Sequence, residues 1–176
     1  MKIHPTVHSS FIVKCHTPSP IGLLQIFASA GAVVRINFSQ PDQSLPELGS
    51  GDETDPESHP LLAAAVEQLA LYFAGHLQHF SLPLALAGTQ FQRLAWDALL
   101  DIPYGQTATY AQQAVKIGNP AARRAVGAAN GRNPIPILVP CHRVIGSRGD
   151  LTGYGGGVDR KAWLLAHEQI WRDDTI

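Results

Sequence analysis

The apolar pattern of this chain changes period once, near Pro60, and that switch limits the fold more than any other feature. Before it, residues 10–17, 22–29 and 32–38 are rich in Ile, Val, Leu and Phe, and Pro18-Ser19-Pro20 and Ala30-Gly31 separate them. Such runs with turn residues between them read as strands of an antiparallel meander. After it, Leu62, Val66, Leu69 and Phe73 recur at helical spacing ahead of a stop at Gly75. Strands at one end and helices at the other predict an α/β chain of the α+β kind, with a small N-terminal antiparallel sheet and helix followed by a helical part.

Helix-start signals then recur. Thr89 with Gln92 forms a capping box, and Phe91, Leu94, Ala95, Ala98 and Ile102 supply an apolar stripe up to Pro103. Thr109 with Gln112 repeats the box for a short helix ending at Gly118, and Asn119 as N-cap with Pro120 at the first helical position opens another at once. Helix, glycine turn, helix is the helix-turn-helix layout. The expected organisation is 1–82 for the sheet and helix, a linker at 83–87, and 88–176 for the rest. Residues 39–60 are rich in Pro, Gly, Ser and acids without periodicity and read as an exposed loop of low order.

Composition narrows the function. With 45% apolar and 15% charged residues, mean hydropathy near zero and no apolar run approaching a bilayer span, no membrane role is expected. The first twenty residues lack the apolar core of an export signal, so a cytoplasmic address is expected. Two cysteines in that setting do not make a disulfide framework. Net charge is −1, but residues 121–165 hold Arg123, Arg124, Arg132, Arg143, Arg148, Arg160 and Lys161 against Asp150 and Asp159, a local +5 that suits a polyanion or a solvated face.

The helix after Gly118 is thin. Ala122, Val126 and Ala129 fall on one side; Arg124, Gly127, Ala128 and Gly131 share another stripe, so one long side chain stands on an almost bare surface. That surface fits close helix packing, or a minor groove about 6 Å wide entered by a single wedge. Asn133-Pro134 breaks the helix, and the apolar run 135–140 reads as a short buried strand delivering Cys141 at a chain reversal. Buried thiol, metal ligand, disulfide half and nucleophile all remain open. A nucleophilic thiol needs a base or cation beside it; His142 and Arg143 are adjacent, and His167 and Glu168 on a C-terminal helix offer a base with its orienting carboxylate.

The stretch from about Phe91 to Glu168, with Pro-Cys-His-Arg-Val at 140–144 inside it, resembles the O6-alkylguanine-DNA alkyltransferases, the methylated-DNA–protein-cysteine methyltransferases of single-chain bacterial type. The resemblance implies a winged-helix-like C-terminal part and stoichiometric transfer of an alkyl group from O6-alkylguanine in duplex DNA to Cys141, and it leaves open whether O4-alkylthymine is also a substrate. It makes His142 with Glu168 the deprotonating pair, acting through a bound water, and Asn133 the hinge between recognition helix and active-site run. Tyr110 would aid nucleotide rotation and hydrogen-bond guanine N3. Arg124 would be the finger filling the gap in the stack, Arg123 a phosphate contact, and Gly127, Ala128 and Gly131 the surface meeting DNA. Tyr154, Gly155 and Gly156, with the glycine run continuing to Gly157, would form the lid of a guanine pocket read by main-chain groups at Cys141 and Val144. It implies a monomer with no cofactor; the cysteines of zinc-binding relatives are missing, which leaves Cys15-His16 and His76 with His79 as unconvincing metal ligands. Two other classes compete: a non-catalytic helix-turn-helix DNA-binding or damage-sensing module, whose sensors lack the acceptor cysteine, and a Cys141–His142 hydrolase, which leaves the Arg124 helix unexplained.

Overall fold

The computed structural model of this chain describes residues 3–4, 12–38, 52–151 and 153–172. The backbone divides into two compact units, Met1–Ala87 and Gly88–Ile176. The first holds β1 (Ile3–His4), β2 (Val13–Thr17), β3 (Leu24–Ala28), β4 (Val33–Phe38), β5 (Asp52–Glu53), α1 (Pro60–Phe73) and β6 (Leu84–Ala85). β2, β3 and β4 form the expected antiparallel meander, and the parallel partners β6 and β1 on one side and β5 on the other widen it into a sheet ordered β1-β6-β4-β3-β2-β5. Alternation drives one face inward: Cys15 lies opposite Ile26 and Ile26 opposite Ile36, and all three are buried. α1 packs against β2, β3 and β4.

Three expectations change here. The inward face of α1 is Leu62, Ala65, Leu69 and Tyr72, leaving Val66 and Phe73 half-buried; small Ala65 lets the helix lie close to the sheet, which turns it from the stripe read off the larger residues. Leu84 and Ala85, expected within a linker, form a buried strand between β1 and β4, because two apolar residues gain more by completing the sheet than by exposure. Within the acidic loop, Asp52 and Glu53 pair with β2, and Asp55 caps a short 3-10 turn at Pro56–Ser58. Asp42 and Glu47 of that loop, and residues 10–11 at the start of the first predicted strand, lie outside the described residues.

The second unit holds α2 (Gln90–Leu100), β7 (Ala108–Thr109), α3 (Tyr110–Lys116), α4 (Arg123–Asn130), β8 (Val144–Ile145) and α5 (Val158–Trp171), with β7 and β8 pairing parallel. Both capping boxes are formed, at Thr89 with Gln92 and at Thr109 with Gln112. α3 ends as the sequence predicts: Gly118 takes φ +74, and the N–H groups of Gly118 and Asn119 return to the carbonyls of Val115 and Ala114. α4 starts later than expected. Asn119 to Ala122 close a turn through the Ala122 N–H and Asn119 carbonyl, so Ala122 is the N-cap and Arg123 the first helical residue. On α2, Leu94 is 49% exposed, and Trp96 is buried in its place.

Candidate active site

Residues 135–140 are all buried, as their apolar character demands, but they coil through turns and form no regular strand; the single bridge there joins Pro136 and Val139. Asn133 holds the coil together. Its Nδ2 donates to the Val139 carbonyl at 2.8 Å and to Cys141 Sγ at 3.1 Å, while its Oδ1 accepts the Ile135 N–H at 3.0 Å. Inside the coil Ile137 takes φ 76, rare for a β-branched side chain and worth on the order of 1–3 kcal/mol of strain. Cys141, a buried residue, then opens a 3-10 turn at Cys141–Arg143.

Burial pushes the Cys141 thiol up to about 11, against the opposing pull of the Asn133 hydrogen bond and of the Lys161 charge. The resting group is therefore a neutral thiol at pH 7. Both cysteines are free, and Cys15 lies in the first unit's sheet.

His142 is fully buried, and its Nε2 lies 2.8 Å from Glu168 Oε1. Glu168 also takes Arg143 in a two-pronged grip, Nε to Oε2 at 2.8 Å and Nη2 to Oε1 at 3.0 Å, and accepts the Gly105 N–H at 3.1 Å. Arg143 is fixed in turn by the Ile102 carbonyl at 2.7 Å. Burial opposes ionisation of Glu168, but the bonds and charges of His142 and Arg143 prevail and hold its carboxyl well below the usual range. A carboxylate only accepts, so Nε2 of His142 carries the hydrogen and Nδ1 is the basic nitrogen. Nδ1 is buried and has no hydrogen-bond partner among the described residues, while burial keeps the ring neutral by lowering its pKa.

The structure corrects the reading of the basic cluster. Arg143 and Lys161 are buried, whereas Arg123, Arg124, Arg132 and Arg148 are exposed. Lys161 Nζ donates to the Val144 carbonyl at 2.6 Å and lies 5.8 Å from the centre of the Tyr110 ring. Burial lowers its pKa and the Cys141 charge opposes that. Lys161, Leu164 and Glu168 share the buried stripe of α5 at spacings of three and four, the signal by which Lys161 could have been found.

Tyr110 and Tyr154 are both half-buried. Burial and then the Cys141 charge raise both phenols. A Cβ on Gly153, which takes φ +72, would stand 3.4 Å from the Tyr110 hydroxyl; one on Gly155 would stand 3.2 Å from the Gly131 carbonyl at the end of α4. The 153–157 loop therefore approaches α4 and Tyr110 at backbone distance, and Arg160 Nη1 ties the Gly156 carbonyl at 2.8 Å. Val144 is buried in β8 with its carbonyl already holding Lys161. On α4, Arg123, Arg124, Ala128 and Gly131 are exposed and Gly127 is half-buried beside the Tyr110 ring. Among the described residues no group of three or more His, Cys, Asp or Glu is placed to hold a metal ion, and no helix is long and apolar enough to cross a membrane.

Known proteins match this arrangement along most of the chain. A family model described as 6-O-methylguanine DNA methyltransferase, DNA binding domain, matches residues 90–170, and one described as its ribonuclease-like domain matches residues 12–86. A methylated-DNA–protein-cysteine methyltransferase of Mycolicibacterium paratuberculosis is 52% identical over 151 residues, covering 86% of this chain and 88% of that protein. The crystal structure of Mycobacterium tuberculosis O6-methylguanine methyltransferase superposes with a TM-score of 0.85 at 42% identity, covering 93% of this chain and 96% of that one. A complex of the M. tuberculosis protein with DNA gives 0.79 at 43% identity, covering 92% and 95%. The chain belongs to the 6-O-methylguanine-DNA methyltransferase family.

Proposed function

We propose that this protein repairs alkylated DNA by moving the alkyl group from guanine O6 in a duplex to Cys141, once per molecule. The observation that carries this reading is the buried line Cys141, His142, Glu168: a thiol pushed up to about 11 beside a neutral imidazole whose Nδ1 is open and whose Nε2 is fixed by a carboxylate. In the reaction the thiol proton passes to His142 Nδ1, directly or through one water, and Glu168 stabilises the imidazolium formed. The sulfur lone pair attacks the alkyl carbon; the C–S bond forms as the C–O6 bond breaks, and the bonding pair stays with the guanine. Tyr110 offsets that charge at N3 by donating a hydrogen bond or its proton. Lys161 adds a positive charge that favours the thiolate and lies near the Tyr110 ring. The thioether is inert, so turnover stops after one transfer.

An alkylated base edge is out of reach inside a duplex, so the nucleotide is rotated out at a cost of a few kcal/mol. Arg124 on the bare face of α4 fills the gap, Arg123 holds phosphate, and Gly127, Ala128 and Gly131 let the backbone approach the groove. Tyr154, Gly155 and Gly156 close over the guanine, with main-chain groups of Cys141 and Val144 at its edge, and Asn133 keeps the thiol in register. In this reading residues 88–176 hold both the chemistry and the DNA contacts, and the protein acts as a cytoplasmic monomer without a cofactor. The test is mass analysis of the Cys141 peptide after incubation with duplex DNA containing O6-methylguanine. One methyl group per protein molecule is expected; no uptake, uptake at Cys15, or multiple turnovers would overturn the reading.

A further inference from the structure

Little apolar surface holds α4. Val126 and Ala129 are its buried apolar side chains, and Asn130 is its buried polar one. Contacts this small leave a helix free to roll about its axis, because they build no ridges for a neighbour to grip. Direction comes from hydrogen bonds at its C-terminal turn. Asn130 Nδ2 donates to Gln113 Oε1 at 2.7 Å, and Gln113 Nε2 donates back to Asn130 Oδ1 at 3.1 Å and on to the Ala95 carbonyl of α2 at 2.8 Å. Trp96 Nε1 donates to the Ala129 carbonyl at 2.9 Å. The N-terminal turn has no side-chain cap, and its Arg123, Arg124 and Ala125 are exposed. The helix is pinned at one end and presents its arginines at the other.

We infer that the buried Gln113–Asn130 amide pair is the positioning element that sets the roll of α4 and so decides which arginine enters the duplex. One residue of slip is about 100° on a helix, enough to exchange Arg124 for Arg123. Stability alone does not call for the pair, since two apolar side chains of similar shape in its place cost little or nothing. What an apolar pair lacks is direction. This inference rests on the duplex-repair reading above.

The test is the doubly substituted Gln113→Leu/Asn130→Leu protein, with methyl transfer from duplex O6-methylguanine and benzyl transfer from free O6-benzylguanine read in parallel. The free base needs no finger, so its rate should stay within about twofold while the duplex rate falls about tenfold or more. The exchanged pair Gln113→Asn/Asn130→Gln, which keeps both amides, should recover most of the duplex rate. A folded doubly apolar protein with an unchanged ratio of duplex to free-base rates would overturn the inference. Should that protein not fold, Asn130→Ser, which keeps the Gln113 bond to the Ala95 carbonyl, gives the same ratio test. Duplex affinity measured on the same variants separates the two readings. An unsubstituted protein that binds duplex but takes up no alkyl group overturns the transfer reading; in that case weaker duplex binding by the variants supports the positioning role and unchanged binding overturns it, whereas in a protein that does transfer the rate ratio decides.

Discussion

The two units bury different chemistry. Among the described residues of the first, only Thr17 and Ser29 are buried polar side chains; the second buries Gln113, Asn130, His142, Arg143, Lys161, His167 and Glu168. A sheet covered by one helix reaches stability with apolar rows such as Cys15, Ile26 and Ile36, and gains nothing from internal charge. The second unit keeps charges that cost desolvation energy, because a buried ion pair is often no more stable than apolar residues of the same volume. The difference teaches what each unit's interior is built from: apolar packing in the first, paired and hydrogen-bonded polar groups in the second.

Cys15 and Cys141 offer the largest contrast. Cys141→Ser should abolish alkyl uptake outright with little change in melting temperature. Cys15→Ser, which puts a hydroxyl into the apolar sheet, should cost about 1–3 kcal/mol yet leave transfer by the folded protein intact. Uptake lost with Cys15→Ser would erase the distinction.

Within the second unit the comparison continues between handling DNA and doing chemistry. Arg124→Ala should slow transfer from duplex about 10- to 1000-fold, roughly 1.4 to 4 kcal/mol, and spare free O6-benzylguanine. Arg123→Ala should weaken binding to any duplex and lower its salt slope by about one. Exchanged phenotypes would move the finger to Arg123; equal loss on both substrates from Arg124→Ala would place that residue in the active-site framework.

Glu168→Gln leaves Arg143 buried with half its partner, so a destabilisation of about 3 kcal/mol is expected together with slower transfer. Leu24→Ala in β3 should cost a similar 2–5 kcal/mol with transfer by the folded protein unchanged. Urea titration and single-turnover rates on both proteins decide whether the two effects separate as the comparison requires.

The smallest effect is a pH dependence. Glu168 has its folded pKa depressed, so its stabilisation is present above the ordinary 4.5 and lost as pH falls through the lower folded value; His142, lowered by burial, begins to lose its contribution below the ordinary 6.5. The first unit buries no carboxylate or histidine among its described residues. Acid should therefore loosen the second unit first. Trp96, Trp163 and Trp171 all lie there, so tryptophan emission follows it, while amide exchange in β3 follows the first unit. Simultaneous loss would contradict the contrast.

Much was legible in the chain because the signals are local. Capping boxes, the Gly118 stop and the strands of the meander depend on residues within a turn of one another, and among the described residues they formed. Pro140-Cys141-His142-Arg143-Val144 and the thin helix marked the family without coordinates. What tertiary structure alone decided is what depends on partners far apart in sequence. Arg143 and Lys161 looked like surface bases because formal charge is visible and burial is not; Glu168, twenty-five residues from Arg143, and the Val144 carbonyl make their burial tolerable. Leu84 and Ala85 looked like a linker because two residues carry no period, and only the open edges of β1 and β4 make them a strand. The coil at 135–140 was apolar enough for a strand, but Asn133 closes it on itself and holds Ile137 at φ 76, a conformation that no local preference favours and that only the surrounding bonds sustain.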